Sequence, residues 1–442
     1  MTVAQVRVPH ARLIVVLAAL SFSAAILWLT RGYTFYFDEW TFILSAPDWS
    51  WTTLLQPHNE HPVMLTRAIY AALLATVGMR SYLPYMAVLL ALHVVSVTLL
   101  FEVVRRRSGD LVAVASAALL LVLGAGWEDL LWAFQIQFAG SVACGLGMVL
   151  ALQGPPGRRN AIIAAALLTA SLMFSGVGLF FGVAAAVQLA ATPDRRNDLV
   201  WFAPVAIAAA TWYLAFGRNG GPTASPSVAE IAALPLYVVW GLGAGAAGLI
   251  GLGGLIGLAV LVLAMVALAL GWRHVRKVDA FGLGILAGLI SFYAVTGIIR
   301  VQLGYQQSGA GRYVYVGAVF WLILLADAAR RLPWRGTWRP ALVACVFLAC
   351  FNSGALLFEY ATAKSVQMQR QVADLQALTA ERGASCLNPN AAVDLLVMPQ
   401  MTSPAAYYRA VDRYGDPAFS QPVVDKADFD QARANLLTAG CT

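Results

Sequence analysis

The chain has 442 residues, of which 60% are hydrophobic and only 12% charged, with 38 glycines and 13 tryptophans, and its mean hydropathy is +0.72. Soluble globular domains carry about 25% charged residues, so this composition excludes one. The net charge of +7 and pI near 9.3 would fit nucleic acid in a soluble protein. Here the basic residues form short clusters between apolar runs, which is the positive-inside pattern of a membrane protein.

Long stretches carry no charge at all, for example Leu111 to Trp127 and Gly241 to Trp272, and they read as membrane-spanning helices. Basic clusters fall at Arg7 and Arg12, Arg105 to Arg107, Arg158 and Arg159, Arg195 and Arg196, Arg273 to Lys277, and Arg330 to Arg339. If each marks a cytoplasmic turn, the segment between two clusters leaves the membrane and returns, so it holds an even number of spans.

Taken in order, the first span is expected at Leu13 to Thr30. Charged and aromatic residues follow it directly, which fits a retained span and not a cleaved signal peptide. The run from Val63 to Gly78 contains Arg67 and follows Pro62. Parity makes it a helix lying in the outer interface, and Tyr82 to Val104 is the second span. Further spans are expected at Leu111 to Gly126, Ile136 to Gln153, Ala161 to Phe174, Val177 to Ala191 and Trp201 to Phe216. A second interfacial helix is placed at Glu230 to Trp240, followed by spans at Gly251 to Gly271, Ala280 to Ile299, Tyr313 to Ala329 and Ala341 to Leu357. The sum is an all-α polytopic membrane protein with about 11 spans, its N-terminus inside and its C-terminus outside.

Residues 1–357 are thus expected to form the transmembrane domain, with a first outer loop at 31–81, and residues 358–442 a small extracytoplasmic domain. In that tail Met368, Val372, Leu375 and Leu378 repeat at a helical period. The glycines between Gly241 and Gly257 lack a following Lys-Ser/Thr and read as helix-packing positions, not a phosphate loop. Cys144, Cys345 and Cys350 lie in apolar segments. Cys386 and Cys441 lie in the polar tail, where a disulfide between them is expected if the tail is outside the cytoplasm.

Polar residues expected on the outer side concentrate in the first loop. Asp38 and Glu39 stand between Phe37 and Trp40, at the exit of a span. One acid could cap the next helix, but two beside aromatic residues point to a functional site. Asp38 is the candidate general base, because a carboxylate in an apolar cleft can take the proton of an incoming hydroxyl. The cluster His58, Asn59, Glu60, His61 could orient a substrate or ligate a divalent metal. It lacks the four-residue His spacing of a helical zinc site, so the metal question stays open. Trp127, Glu128 and Gln135, with Asp129, Trp132 and Gln137, have the composition of a sugar platform, with flat aromatic faces beside hydrogen-bonding groups.

The order of a first span, Asp38-Glu39, an outer loop, Glu60-His61-Pro62, an interfacial helix to Gly78, and a span ending in Arg105-Arg106-Arg107 resembles the superfamily C (GT-C) glycosyltransferases. Protein O-mannosyltransferases and lipid A aminoarabinose transferases are the members it is similar to. The resemblance is clearest over residues 13–107, and Gly311-Arg312-Tyr313 is similar to the Arg-Tyr that opens a late helix in that family. It implies a GT-C-like bundle, a polyprenyl-phosphate sugar as donor, and the first-loop acid at the reaction centre. The family's junction often reads Glu-Lys-Pro-Pro. Here His61 and Val63 replace the lysine and the second proline, so the phosphate contact is unassigned.

Outside the tail, the basic residues expected at the outer headgroup level are all arginine: Arg31, Arg67, Arg80, Arg218, Arg300 and Arg312. Arg300 and Arg312 flank a glutamine-rich loop and are candidates to clamp a phosphate through paired hydrogen bonds, although a lone arginine at a helix end commonly snorkels. The expected activity is transfer of a sugar from a polyprenyl phosphate to an acceptor hydroxyl on a glycan, lipid or protein. It would take place at the outer face of a bacterial cytoplasmic membrane, with Asp38 and Glu39 catalytic. The expected substrate-binding residues are His58, Glu60, His61, Arg300, Arg312, Tyr313, Trp127, Glu128 and Gln135, and no nucleic acid is involved. The rival readings are a transporter or flippase of lipid-linked sugars and a non-catalytic cell-envelope assembly subunit. Acids at one face and the lack of an internal repeat speak against transport.

Overall fold

The computed structural model describes residues 7–220, 227–273, 279–330, 336–418 and 426–438. Among them every regular element is a helix. Helix α1 (Ala11–Leu29) is followed by a loop carrying α2 (Glu39–Ser45), α3 (Trp51–Leu55) and α4 (Met64–Thr76). Then come α5 (Leu83–Ser108), α6 (Asp110–Leu121), α7 (Glu128–Leu131), α8 (Ile136–Leu152), α9 (Arg158–Phe174), α10 (Gly178–Ala190) and α11 (Ala203–Ala215). The second half holds α12 (Val228–Ala232), α13 (Leu234–Gly248), α14 (Ile256–Arg273), α15 (Ala280–Arg300), α16 (Gly311–Ala329) and α17 (Trp338–Ala380). Helices α18 (Pro404–Tyr414) and α19 (Lys426–Leu436) complete it.

Six helices among the described residues are long and apolar enough to cross a membrane, or seven if the bent pair Pro193–Trp201 and Ala203–Asn219 is one span. The chain is therefore a helical protein of multi-pass membrane character. The larger expected count came from apolar runs that outlast the helices in them. The run expected as a span from Leu111 to Gly126 stops being α-helical at Leu121 and continues as a 3₁₀ turn at Gly124–Gly126. At about 1.5 Å per residue the 12-residue α6 covers only about 18 Å. The turn has a packing reason: a Cβ on Gly124 would lie 2.0 Å from the Ser353 carbonyl oxygen of α17.

The segment expected as an interfacial helix at Glu230 to Trp240 is different again. It is split into α12 and α13, and α13 runs on to Gly248 with a buried glycine face against α15 and α16. A Cβ on Gly241 would meet the Tyr293 ring at 2.2 Å, and Gly243 lies against Gly257 of α14. Gly241, Gly243, Gly245, Gly248 and Gly257 are thus close-packing positions, as their spacing predicted, whereas Gly251, Gly253 and Gly254 lie in the turn between α13 and α14. Gly241→Leu is expected to cost about 3 kcal/mol by overpacking a rigid ring. Thermal unfolding in detergent checks it, and an unchanged midpoint would contradict the packing.

The two ends of the bundle differ in chemistry. At one end Arg107 pairs with Asp279 and, at 2.7 Å, with Asp327, Arg330 lies 3.2 Å from Asp279, and Arg12 lies 2.5 Å from Glu102. These are residues of, or beside, the basic clusters used to set orientation. Asp38, Glu60, Glu128, Arg300 and Arg312 meet elsewhere, in the cavity described below.

The boundary expected at Leu357 falls inside α17, which runs unbroken for 43 residues. The tail beyond it packs back on the first loop: Leu375, Leu378, Met398, Met401, Tyr407 and Leu436 share one buried cluster with Trp40, Phe42 and Tyr70. Met368, Val372, Leu375 and Leu378 are all buried, as their period required. Cys386 is disulfide-bonded while Cys144, Cys345 and Cys350 are free. Its expected partner, Cys441, lies outside the described residues.

Candidate functional site

The first loop is fastened before it reaches the acids. The Tyr33 hydroxyl donates to the Ala361 carbonyl of α17 at 2.7 Å, and the buried Phe35 ring meets Tyr82 and Tyr85 edge-on. Phe37 then adopts φ +50°, a left-handed conformation that costs an aromatic residue on the order of 1 kcal/mol. Surrounding contacts hold it there: Phe37 packs on Tyr36 and Trp132.

The two adjacent acids then have different fates. Glu39 is completely buried. Its carboxylate accepts hydrogen bonds from the hydroxyls of Tyr70 (2.6 Å) and Tyr82 (3.1 Å) and from the Tyr36 amide (2.8 Å). The last bond ties Glu39, the first residue of α2, to an amide ahead of the helix N-cap Asp38. Burial pushes the Glu39 carboxyl up to about 7, against the opposing pull of these hydrogen bonds. Glu39, expected to be catalytic beside Asp38, does not line the cavity, and its carboxylate is taken up by Tyr70, Tyr82 and the Tyr36 amide. Asp38 makes no capping bond. Its Oδ1 accepts from the Gln400 side-chain amide at 2.9 Å, and Oδ2 lies 3.7 Å from His58 Nε2.

The His-Asn-Glu-His segment is a tight reversal. The amides and carbonyls of His58 and His61 exchange two 3.0 Å hydrogen bonds, and Asn59 turns the corner at φ +51°, a conformation asparagine tolerates. The imidazoles are thereby placed side by side. His58 packs on Phe42 and Phe134, and His61 on Phe138. Burial lowers the His61 imidazole to about 4, so it is neutral across the physiological range. Gly220 floors this turn: a Cβ there would lie 1.9 Å from the Asn59 carbonyl oxygen and 2.6 Å from Pro57. Gly220→Ala must therefore shift the turn, at an expected cost of about 1–3 kcal/mol by overpacking, which thermal unfolding in detergent checks; an unchanged midpoint would contradict the contact.

The facing wall comes from the segment between α6 and α8. Trp127 stacks on Tyr360, and Trp132 stacks on Phe134. Asp129 is fully buried with neither oxygen bonded, and burial raises its pKa well above the ordinary aspartate value, which favours the neutral acid. Among the described residues Trp132 Nε1, Gln135 Oε1, Gln137 Oε1, His58 Nε2 and Gln400 Oε1 are also buried without hydrogen-bond partners. Buried polar groups normally find partners, and of these Trp132, Gln135, Gln137 and His58 line the cavity described below.

Three cations complete the site. Arg300, ending α15, pairs with Glu60, and Arg312, opening α16, pairs with Glu128 at 2.7 Å. The two arginines expected to clamp a phosphate are thus each engaged with a carboxylate and are not free guanidinium groups. The third is Lys364 of α17, whose Nζ lies 3.0 Å from the centroid of the Tyr36 ring and 3.0 Å from Gln367 Oε1.

These groups enclose a cavity of about 220 Å³ lined by Asp38, His58, His61, Trp127, Glu128, Gln135, Arg300, Arg312, Tyr313 and Lys364, among others. Of the residues expected to be catalytic or substrate-binding, Glu39 and Glu60 do not line it, nor does Asp129 of the expected sugar platform. Glu60 reaches it through Arg300. The volume falls below the about 300–1,000 Å³ of drug-sized sites and suits a single polar head group. Among the described residues no three His, Cys, Asp or Glu side chains are placed to hold a metal ion. The one cavity cation missed in the sequence is Lys364. Its signal was available: the chain has only three lysines, and Lys364 lies four residues before Met368, on the buried face of the helical repeat. No family model, curated protein or solved structure matches the chain.

Proposed function

We propose that the chain is a GT-C-type glycosyltransferase built on its multi-pass helical bundle. It moves a sugar from a polyprenyl phosphate to an acceptor hydroxyl at the outer face of a bacterial cytoplasmic membrane. The observation that carries this reading is the convergence of residues from six separated parts of the chain on one cavity: a solvent-reaching carboxylate, two imidazoles, three cations and a wall of tryptophan and glutamine.

In this reading the sugar lies against Trp127 and Trp132, where flat rings meet its apolar faces, and its hydroxyls serve Gln135 and Gln137. Arg300 and Arg312 frame the cavity mouth and fix Glu60 and Glu128. Asp38 takes the proton of the acceptor hydroxyl as the acceptor oxygen bonds to the anomeric carbon. The bond from that carbon to the phosphate oxygen breaks, and its electron pair leaves with the lipid phosphate. One displacement inverts the anomeric centre. Gln400 holds Asp38 in place, so the tail segment that carries Gln400 forms part of the site. The basic cluster at the far end of the bundle supports an outward-facing cavity under the positive-inside rule.

The test is a panel of radiolabelled polyprenyl-phosphate sugars incubated with purified protein, with and without chelator. Transfer of label to an acceptor from at least one donor, with release of the lipid phosphate, is expected. If no donor in the panel is turned over under conditions where donor binding is detected, the transferase reading is lost.

A further inference from the structure

Among the described residues Lys364 is the one cavity cation of the three with no carboxylate within 4 Å. Arg300 is matched with Glu60 and Arg312 with Glu128. Glu39 is held by tyrosine hydroxyls, and Asp38 by the Gln400 amide. Lys364 is 95% buried and lies within 4 Å of no carboxylate among the described residues. Its ammonium is held by the Gln367 amide oxygen and by the face of Tyr36, with the rings of Trp127 and Trp132 at 5.8 and 5.9 Å. Burial lowers the ammonium to about 7 although Glu39 and Glu128 attract it from beyond 4 Å, because an amide, ring faces and distant carboxylates recover only part of what water gave it. A second feature points the same way: Trp132, which flanks the lysine and lines the same cavity, has a buried indole N–H with no acceptor.

We infer that Lys364 is the anion-binding residue of the cavity, and that with Trp132 Nε1 it receives a phosphate oxygen of the bound ligand. The inference rests on the transferase reading only for the identity of that ligand. The chemistry is that of a phosphate monoester or diester. A compact ammonium attracts it as a point charge with three rotatable donors, while the arginines remain engaged with their carboxylates. The aromatic walls exclude water from the pair and so strengthen it. The position also explains how a chain with histidine at position 61 can bind phosphate: the cation comes from the distant helix α17.

Binding of farnesyl phosphate, farnesol and inorganic pyrophosphate to the purified full-length protein in detergent, by titration calorimetry, tests this. Wild-type protein is expected to bind farnesyl phosphate at least about tenfold more tightly than farnesol, and Lys364→Gln to lose that preference while its farnesol affinity is unchanged. Lys364→Arg, which keeps the charge, is expected to retain the preference within about threefold. Lys364→Met, which keeps the aliphatic stem, replaces the glutamine variant should that one fail to fold. Competition by pyrophosphate identifies a site that also takes free phosphate, and its lack identifies one that needs the lipid; both fit the assignment. Wild-type discrimination in Lys364→Gln or Lys364→Met, or equal loss of farnesol binding, would overturn it. Binding through Lys364 without any sugar transfer would instead remove the transferase reading and leave the anion site standing.

Discussion

Asp38→Asn is expected to lower sugar transfer by about 10²–10⁴-fold, the usual contribution of a positioned general base, while donor affinity and thermal midpoint stay at wild-type values. The substitution preserves shape and leaves an oxygen to accept from Gln400, whose amide now donates to Asp38 Oδ1 at 2.9 Å. It removes only the ability to take a proton. The Glu39 carboxyl cannot substitute for it, because Tyr70, Tyr82 and the Tyr36 amide already engage it away from the cavity. Turnover and donor binding measured on the same preparation separate the readings. An enzyme loses the first and keeps the second, whereas a transporter or scaffold is indifferent to the change in transfer chemistry. Full activity in the variant would remove Asp38 from the mechanism.

Glu39 carries the second large effect, on stability. Its buried carboxyl sits near 7 in the folded chain against an ordinary value of 4.5, so the folded state binds the proton more tightly than the unfolded one. By linkage its contribution to stability is fullest below about pH 4.5 and is lost as pH rises toward and through 7, a change on the order of 3 kcal/mol. The stability of Glu39→Gln relative to wild type should therefore improve by up to that amount between pH 5 and 8, since the amide has no proton to lose. Taking the difference between the two proteins at each pH cancels other titrating groups, His61 included. Glu39→Ala should be costly at every pH, about 3 kcal/mol or more, because it leaves two buried tyrosine hydroxyls without their acceptor. Paired thermal unfolding curves across that range check both statements. A pH-independent difference for the glutamine variant would show that Glu39 is ionised throughout.

Much of the site was legible in the sequence because its residues break local rules. Tandem acids beside aromatic residues, a histidine pair around a turn, and arginines at both ends of a glutamine-rich loop are all unusual beside a membrane, and all except Glu39 and Glu60 line one cavity. What composition could not separate was the division of labour between Asp38 and Glu39. That depends on the left-handed Phe37 and on Tyr70 of α4 and Tyr82 just before α5, both tyrosines distant in sequence. The pairing of Arg300 with Glu60 and of Arg312 with Glu128 was equally hidden, being a long-range fact. Helix placement was readable from apolar runs, but helix length was not: Gly124 ends α6 early to admit the backbone of α17, and α13 buries a glycine face where amphipathic placement in the interface was expected. Lys364 was missed because the tail was read as a separate outer domain, whereas α17 carries its apolar face straight from the bundle into the first-loop core.

The most direct measurement uses sealed vesicles reconstituted with the protein and loaded on one leaflet with a polyprenyl-phosphate sugar, labelled in both sugar and lipid, with acceptor outside. Separation of the two labels, dependent on acceptor and abolished by Asp38→Asn, is the result expected of a transferase. Arrival of both labels together on the opposite leaflet, unaffected by that substitution, would show a carrier of lipid-linked sugar and contradict the proposed chemistry.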